Sequence, residues 1–431
     1  MKKKILTISL ALILLLSLVV GCGKKDDKDT AKDTEDKKEE VVEKKDDADK
    51  EEASEEAVEE DSAEEATDAE SAEEAEPAEA SDALKIVIVS SPSGVDDGSF
   101  NQDNYLGILN FIKNHPDSTV EDIRETEVEN SVATASSVVG DYDVIVTPGF
   151  QFAGISMAAV DNPDKFFILV DSFPTNVDDL NAGVEFPGEA EYPNIYAMQF
   201  KEQEAGFLAG VAAALETKSG KVAVVNGIAY PSNVNYQYGF EAGVAYAVKH
   251  FEATAEVVEI PSRAGTDVTG ADVGGNYIGD FADEVGGKQI GEDLLKEGVD
   301  IMLVAAGGSG NGVFTAVKEH GDAMVIGCDV DQFDDGVIGD KNIILTSVLK
   351  VMNLNVERQL EAIANGTFAG KNEVLGADSD SVDYVKAEGR HQLSDDTLEK
   401  LEDVLAKIKD GTIVPPGNFT EDTVENFKGL D

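Results

Sequence analysis

Residues 84–116 have the sequence LKIVIVSSPSGVDDGSFNQDNYLGILNFIKNHP, in which a short apolar run leads through a polar turn into an amphipathic stretch. The run KIVIVS is typical of a strand that is buried on both faces. Beyond the turn, apolar residues recur at helical spacing from Tyr105 to Ile112, and Pro116 ends the pattern. A strand that turns into a helix is the unit from which parallel α/β sheets are built.

The same alternation continues through the following residues. Runs typical of buried strands recur as DVIVTPG, FFILVD, KVAVVNG, DIMLVAAGG and AMVIGCD, and helix-period stretches lie between them. The part of the chain that shows this pattern has about 350 residues, which exceeds what one hydrophobic core usually supports, so two lobes are expected.

The series of strands restarts twice, which predicts how the chain is divided. NIYAMQF leads into a Gly- and Ala-rich helix near Phe200, and ILTSVLKVMNLNVERQLEAI follows AMVIGCD. We predict an α/β fold of two Rossmann-like lobes, the first formed by 84–199 plus about 329–365 and the second by 200–328 plus about 366–431. A chain that passes between two sheets more than once encloses a cleft, and ligands of open α/β sheets bind at the carboxyl ends of the strands.

The N-terminus predicts export. Three lysines precede an unbroken apolar segment, Ile5 to Val20, which is short for a membrane span and has the pattern of a signal peptide over residues 1–21. The tetrapeptide VVGC resembles the lipobox of bacterial lipoproteins, which implies cleavage before Cys22 and acylation of its thiol, for example by palmitate. An uncleaved signal anchor is the alternative. If Cys22 is acylated, Cys328 is the one cysteine that remains unmodified, so no disulfide within the mature chain is expected.

Residues 22–83 consist almost wholly of Lys, Asp, Glu, Ala and Ser. Such a segment cannot bury enough apolar surface to offset the chain entropy that folding would remove. We therefore predict a disordered acidic tether that like charges keep extended. A specific acidic docking tail is the alternative.

The composition argues against several classes of function. The chain has 34 Lys+Arg against 87 Asp+Glu, a formal net charge of −53, and no basic stripe to neutralise phosphates, so nucleic acid is not expected as a partner. With 4 His, no His/Cys cluster and no G-x-S-x-G motif, neither a metal site nor a catalytic site is indicated. The acidic run VDQFDDG lacks the EF-hand pattern, because Phe333 occupies a ligand position. We expect no enzymatic activity and no cofactor.

The turn SPSGVDDGSFNQ (91–102) concentrates polar and aromatic residues at a strand end. Asp97 or Ser99 could cap the helix that follows. Capping does not account for Phe100 beside Asn101, because a ring next to amide side chains suits a flat polar ligand that stacks and forms hydrogen bonds. The turns IAYPSNVNYQYGF and AAGGSGNG have a similar character, and the second lets backbone N–H groups approach a ligand closely.

Taken in order, these motifs resemble the basic membrane protein family of solute-binding lipoproteins, whose best-understood members are purine nucleoside receptors of ABC transporters. The resemblance implies a type I periplasmic-binding-protein fold with three crossover segments between the lobes. It also implies a nucleoside base held between two aromatic rings and a ribose held by an aspartate and a lysine. The motifs are VDDGSFNQ (95–102), TPGF (147–150), FKEQEAGFLAG (200–210), YGFEAGV (238–244), VAAGGSGNGV (304–313), IGCDVDQ (326–332) and TSVLK (346–350).

For the base, the resemblance implies stacking between Phe100 and Tyr236, with Asn101 as a polar contact. Tyr236 stands where the family normally has phenylalanine, and it keeps the stacking face. Many members also carry an aspartate nine positions before the first ring, and here that position is Ser91. Serine does not offer the same charged acceptor to the edge of the base.

For the ribose, the resemblance implies that Asp329 accepts from the hydroxyls and that Lys350 donates to them, a chemistry that suits a diol. Gly307 and Gly308 would add backbone contacts. A strand-end cap for Asp329 and a solvated charge for Lys350 are the alternatives.

The predicted function is that of a lipid-anchored solute-binding protein on the extracytoplasmic face of the cell membrane. It would bind a nucleoside, with a purine favoured, and present it to an ABC permease and its ATPase. The alternatives are the same fold with a different ring-bearing polar solute, a signalling or adhesion lipoprotein without a transport role, and a nucleoside-cleaving enzyme.

Overall fold

A computed structural model describes residues 83–184 and 186–431. The predicted signal peptide (1–21), the predicted lipidation site Cys22 and the tether as far as residue 82 lie outside the described residues. None of the helices in the described ranges has the length and apolarity that a bilayer crossing requires.

The apolar runs of the sequence form strands, and β1, β3 and β10 are buried along almost their whole length, as expected for strands covered on both faces. In chain order the strands are β1 (Lys85–Ser90), β2 (Thr119–Arg124), β3 (Val144–Pro148), β4 (Phe166–Val170), β5 (Ile195–Phe200), β6 (Lys221–Asn226), β7 (Glu256–Val257), β8 (Gly265–Thr266), β9 (Asp272–Gly274), β10 (Ile301–Ala305), β11 (Met324–Gly327), β12 (Val337–Ile338), β13 (Lys341–Asn342), β14 (Ile344–Lys350), β15 (Lys371–Leu375) and β16 (Val382–Tyr384).

The helices lie between the strands as the alternation predicts. In chain order they are α1 (Phe100–Asn114), α2 (Ser131–Val138), α3 (Ser156–Asp161), α4 (Val177–Ala182), α5 (Glu202–Glu216), α6 (Pro231–His250), α7 (Glu284–Lys296), α8 (Gly310–His320), α9 (Met352–Ala364) and α10 (Asp395–Lys409). Helix α6 begins earlier than expected, because proline is favourable at the first helical position. Tyr236 therefore lies on a helix, although the sequence indicated a turn.

The first lobe is built on a six-stranded sheet of order β15-β5-β4-β3-β1-β2, in which all pairs are parallel. One face packs against α1 and α9 through an apolar cluster that includes Ile88, Ile108 and Val356. The other face is covered by a cluster that includes Val87 and Phe152. Burial on both faces explains why these strands read as continuous apolar runs.

The second lobe is built on a six-stranded sheet of order β16-β14-β11-β10-β6-β7, which is parallel except for the antiparallel pair of β14 and β16. One face packs against α5, α6 and α10 in a cluster that includes Leu208, Phe240 and Leu401. Helices α7 and α8 cover the other face through residues such as Leu294 and Phe314.

Within the described residues, the chain crosses between the two sheets three times, from β5 to α5, from β14 to α9 and from β15 to β16. The prediction of two α/β lobes with three crossovers is confirmed. The predicted lobe ranges place two strands differently from the structure. Ile344–Lys350 lies in the second sheet rather than the first lobe, and Lys371–Leu375 joins the edge of the first sheet rather than the second lobe. The sequence of a short strand does not indicate which of two sheets the strand joins.

Candidate functional site

The candidate site is a cleft between the carboxyl ends of the two sheets. It contains about 560 Å³ of space free of protein atoms, its open mouth included. The first lobe contributes Ser91, Ser93, Asp97, Phe100, Asn101, Gly149, Phe150, Gln151 and Asp171. The second lobe contributes Tyr230, Ser232, Asn233, Tyr236, Phe281, Ala305, Gly307, Asp329 and Lys350.

One carboxylate organises the turn after β1. Asp97 accepts hydrogen bonds from the backbone N–H groups of Ser99 at 3.0 Å, Asn101 at 3.1 Å and Gln102 at 3.1 Å. Asp97 is therefore the residue that caps α1, while the Ser99 hydroxyl points elsewhere. Burial raises the pKa of Asp97, although these hydrogen bonds oppose the shift. Capping fixes the direction in which Phe100 leaves the turn.

The side chain of Asn101 holds this turn together. It is 1% exposed, and its Nδ2 lies 2.8 Å from Ser91 Oγ, 3.0 Å from Ser93 Oγ and 2.9 Å from Asp97 Oδ2. Three acceptors share its two N–H bonds, so the amide is satisfied within the protein. The hydroxyls of Ser91 and Ser93, which lie 3.2 Å apart, also line the cleft.

Two aromatic rings reach the cleft from opposite lobes. Phe100 begins α1, and Tyr236 lies in the second turn of α6, where its hydroxyl donates to Asp329 Oδ1 at 3.0 Å. The position of Tyr236 depends on a close approach of α5 and α6. A Cβ on Gly206 would lie only 2.4 Å from the Tyr236 carbonyl oxygen, so this position requires glycine.

Asp329 follows β11 and links the lobes. Its Oδ2 accepts from the Ser99 hydroxyl of the first lobe at 2.9 Å, and its Oδ1 accepts from Tyr236 of the second lobe. Its backbone is left-handed, with φ of 69°, a conformation that aspartate adopts more readily than most residues. The side chain thus faces the cleft, and it does not form the strand-end cap considered as an alternative.

Lys350 ends β14 and is 2% exposed. Its Nζ lies 2.6 Å from Asp171 Oδ2 and 3.4 Å from Glu202 Oε1. It also lies 4.8 Å from the centre of the Phe100 ring, a cation–π distance. Burial alone would lower the pKa of Lys350, but the neighbouring carboxylates outweigh burial and raise it above its usual value. The alternative of a solvated charge is therefore wrong.

The two carboxylates that bind Lys350 were not predicted. Asp171 directly follows β4 in the run FFILVD, and Glu202 begins α5 in the motif FKEQEAGFLAG. Burial raises the pKa of Asp171 and raises that of Glu202 to about 7, while Lys350 opposes both shifts. Asp171 Oδ1 is buried and accepts no hydrogen bond within 3.5 Å from the described residues, although the nearby Ser232 side chain also opposes the rise in the pKa of Asp171. Their position at strand ends was the only signal in the sequence.

A second group of rings, not predicted either, lines the same cleft. The ring centres of Phe150 and Tyr230, from opposite lobes, are 5.4 Å apart, and Tyr230 and Phe281 are 6.0 Å apart. Phe281 rests on Gly227, where a Cβ would lie 2.2 Å from the ring. Phe150 is part of the motif TPGF, but Phe281 lies in a loop without periodicity, so no pattern indicated it.

The glycine turn after β10 places one of its two predicted site residues at the cleft. Gly307 lines the cleft with φ of 51°, whereas Gly308 does not line it. A Cβ on Gly308 would lie 3.2 Å from Ser93 Cβ, so this glycine lets the two lobes approach each other. Within the described ranges, no group of three or more His, Cys, Asp or Glu side chains is arranged to hold a metal ion.

Comparison with known proteins gives matches over nearly all of the described chain. A family model described as "ABC transporter substrate-binding protein PnrA-like" matches residues 84–418. The chain is 30% identical over 351 residues to a CD4+ T-cell-stimulating antigen of Listeria monocytogenes, a match that covers 77% of this chain and 87% of the relative. It is 28% identical over 357 residues to the ABC transporter nucleoside-binding protein BmpA of Lactococcus lactis, covering 77% and 89%.

A solved structure supports the fold. The ABC transporter solute-binding protein from Aeropyrum pernix K1 aligns with a TM-score of 0.63 and 21% sequence identity, and the match covers 78% of this chain and 94% of that chain. The likeness supports the two-lobed architecture described above.

Proposed function

The chain belongs to the family of PnrA-like ABC transporter substrate-binding proteins, and from that premise we propose that it captures a nucleoside in the cleft between its lobes and delivers it to an ABC importer. The family consists of binding proteins rather than enzymes. The task of the cleft is accordingly to enclose an unmodified solute and release it.

The observation that carries the proposal is the combination of rings and charged groups in one cleft. The rings of Phe100 and Tyr236 line the cleft from opposite lobes, which suits the flat base of a nucleoside. Lys350 donates and Asp329 accepts, a pairing that matches the adjacent hydroxyls of a ribose. The buried Oδ1 of Asp171 supplies a further acceptor beside Lys350.

The charges of the cleft favour a nucleoside over a nucleotide. Among the described lining residues, Asp97, Asp171 and Asp329 carry carboxyl groups, and Lys350 alone carries a positive charge. Burial already raises the pKa of Asp97 and of Asp171, which means that additional negative charge is unfavourable there. A phosphate group would add such charge in a poorly solvated environment, where like charges repel strongly.

The base preference depends on the turn after β1. The hydroxyls of Ser91 and Ser93 can donate as well as accept, whereas the carboxylate common at the first position in the family only accepts. A purine remains favoured by the family resemblance. A pyrimidine nucleoside or another ring-bearing polar solute is the second candidate, and the serine at position 91 is the observation that favours it.

The proposal includes a location and partners. Acylation of Cys22 would anchor the protein to the extracytoplasmic face of the cell membrane, and the acidic tether would let the lobes reach a permease. The permease and its ATPase follow from membership in an ABC transporter family. The lipobox-like VVGC supports the anchor.

Mass spectrometry of the small molecules released from freshly purified, denatured protein tests the proposal. A nucleoside is the expected species, and calorimetric titration with adenosine, guanosine, inosine, cytidine and uridine would then rank the bases. Release of a solute other than a nucleoside, together with no heat from any of the five at millimolar concentration, would contradict the nucleoside assignment.

A further inference from the structure

The ammonium of Lys350 contacts carboxylates that belong to two different elements. Asp171 approaches from the end of β4 in the first lobe, and Glu202 approaches from the first residue of α5, immediately after a crossover. Glu202 is 2% exposed. A carboxylate at this position is favoured by the helix dipole, which helps to keep the buried group charged.

Glu202 is in turn held by Asn235 on α6, and the orientation of this amide is fixed by a backbone group. The N–H of Asn418 donates to Asn235 Oδ1 at 2.7 Å, so Nδ2 must face the opposite direction. There it donates to Glu202 Oε2 at 3.0 Å. The Oε1 atom of the same carboxylate is left to face Lys350.

The backbone that orients Asn235 belongs to the segment that follows α10, residues 410–431, which we call the C-terminal segment. The part of it next to Asn235 is buried. Pro415, Pro416 and Gly417 are all buried. A Cβ on Gly417 would lie 2.9 Å from Asn235 Oδ1, so the segment can approach this closely only with glycine there. The C-terminal segment is thus linked to the cleft by a continuous series of contacts.

We propose that Glu202 and Asn235 are positioning residues that fix the ammonium of Lys350 in the cleft, and that the C-terminal segment takes part through the Asn418 amide. A lysine side chain has four rotatable bonds, and contacts with two separate carboxylates restrict the conformations that it can adopt. If Glu202 were not held in place by Asn235, its carboxylate could turn away from Lys350. The ammonium would then lose its contact with Glu202 and be drawn toward Asp171. The inference rests on the proposed function, in which this ammonium contacts the solute.

A double-mutant cycle measured by calorimetry on the full-length protein, with inosine and uridine as probes, tests the inference. Coupling between contacting residues corresponds to roughly a 2- to 150-fold change in affinity. We expect Glu202→Gln to weaken binding within that range when Lys350 is present. In a Lys350→Met background, the same substitution should change the affinity by less than about twofold. Equal effects in both backgrounds would overturn the inference.

Asn235→Asp provides an isosteric test of the orientation argument. Aspartate still accepts from the Asn418 amide, but it places a second carboxylate against Glu202 instead of a donor. Affinity should therefore fall, as with Glu202→Gln. Glu241→Gln is the matched control, because Glu241 is a half-buried residue on the same helix, has a pKa that burial raises to about 7, and lies outside the cleft. Its affinity should equal that of wild type, and an equal loss in the control would overturn the inference.

A measurement without solute separates this inference from the proposed function. In protein labelled with ¹⁵N-lysine, the Lys350 ammonium should give a resolved NMR signal, assigned by its absence in Lys350→Met, and the signal should shift or broaden in Asn235→Asp but not in Glu241→Gln. If wild type binds neither probe, the nucleoside proposal fails while this signal still decides the positioning. An unchanged signal in Asn235→Asp would refute the positioning role.

Discussion

Replacing Tyr236 by phenylalanine should lower the stability of the protein without lowering its affinity for the solute. The hydroxyl donates to Asp329 Oδ1 at 3.0 Å, and the side chain is 3% exposed. Hydrogen bonds to charged groups contribute about 1.5–3 kcal/mol. In Tyr236→Phe, the thiol of Cys328 at 3.5 Å would be the only donor to Oδ1 left among the described residues, so the free energy of unfolding should fall by about that amount.

The affinity of the same variant should change little or rise. The ring, which provides the stacking face, is retained, and a ribose hydroxyl can donate to the Oδ1 atom that the phenol has vacated. Tyr236→Ala removes both the ring and the hydroxyl. It should cost about 3–5 kcal/mol of stability, as large-to-small changes in cores do, and it should weaken nucleoside binding roughly 5- to 150-fold through the lost stacking face.

Urea denaturation and calorimetric titration of wild type and both variants make the comparison. The expected pattern is a stability loss in both variants and an affinity loss in Tyr236→Ala alone. If Tyr236→Phe lost as much affinity as Tyr236→Ala, the phenol rather than the ring would bind the solute, and the stacking role assigned to this residue would be refuted.

Other perturbations test separate parts of the account. Cys22→Ser should abolish incorporation of a fatty-acid probe in metabolic labelling, and label retained in the variant would exclude this cysteine as the anchor. Ser91→Asp should raise the affinity for inosine relative to that for uridine in calorimetry, because it restores the charged acceptor common in the family. An unchanged ratio of the two affinities would show that position 91 does not determine the base preference. Burial raises the pKa of Asp103 to about 7, so the folded state binds more protons than the unfolded state between about pH 4 and 7, and wild type should lose stability relative to Asp103→Asn as the pH rises through that window. A difference in stability between wild type and Asp103→Asn that stays the same at every pH, measured from melting curves of both proteins, would contradict this. Gly206→Ala should lower both melting temperature and affinity by forcing α5 and α6 apart, whereas Gly140→Ala, which meets no atom within 4 Å, should do neither.

The alternation of apolar runs and helical stretches was sufficient to predict two α/β lobes, because strands covered on both faces leave continuous apolar runs in the sequence. It was not sufficient to assign every strand to its sheet. Ile344–Lys350 has the same character as strands of either lobe. Lys371–Leu375 is a short edge strand with mostly accessible side chains. Its parallel pairing with β5 relies on backbone hydrogen bonds, which leave no apolar pattern in the sequence from which the pairing could be predicted.

The site was predictable where residues follow strand ends in recognisable motifs, and unpredictable where its chemistry depends on distant partners. Phe100 and Asp329, which follow β1 and β11, line the cleft as expected, and Tyr236 lines it from within α6 rather than from a turn. The carboxylates that bind Lys350 lie 179 and 148 residues away along the chain. A single Asp or Glu at a strand end is common in α/β proteins, and only the fold reveals that two of them converge on one buried lysine.

The change in nucleoside affinity when Phe100 is replaced by alanine tests the central claim most directly. The claim is that a base stacks on this ring inside the cleft. Phe186→Ala is the matched control, because Phe186 is 65% exposed and lies outside the cleft. Calorimetric titration of the full-length proteins with the preferred nucleoside should show a loss of roughly 5- to 150-fold for Phe100→Ala and none for the control. Wild-type affinity in a folded Phe100→Ala protein would contradict the claim.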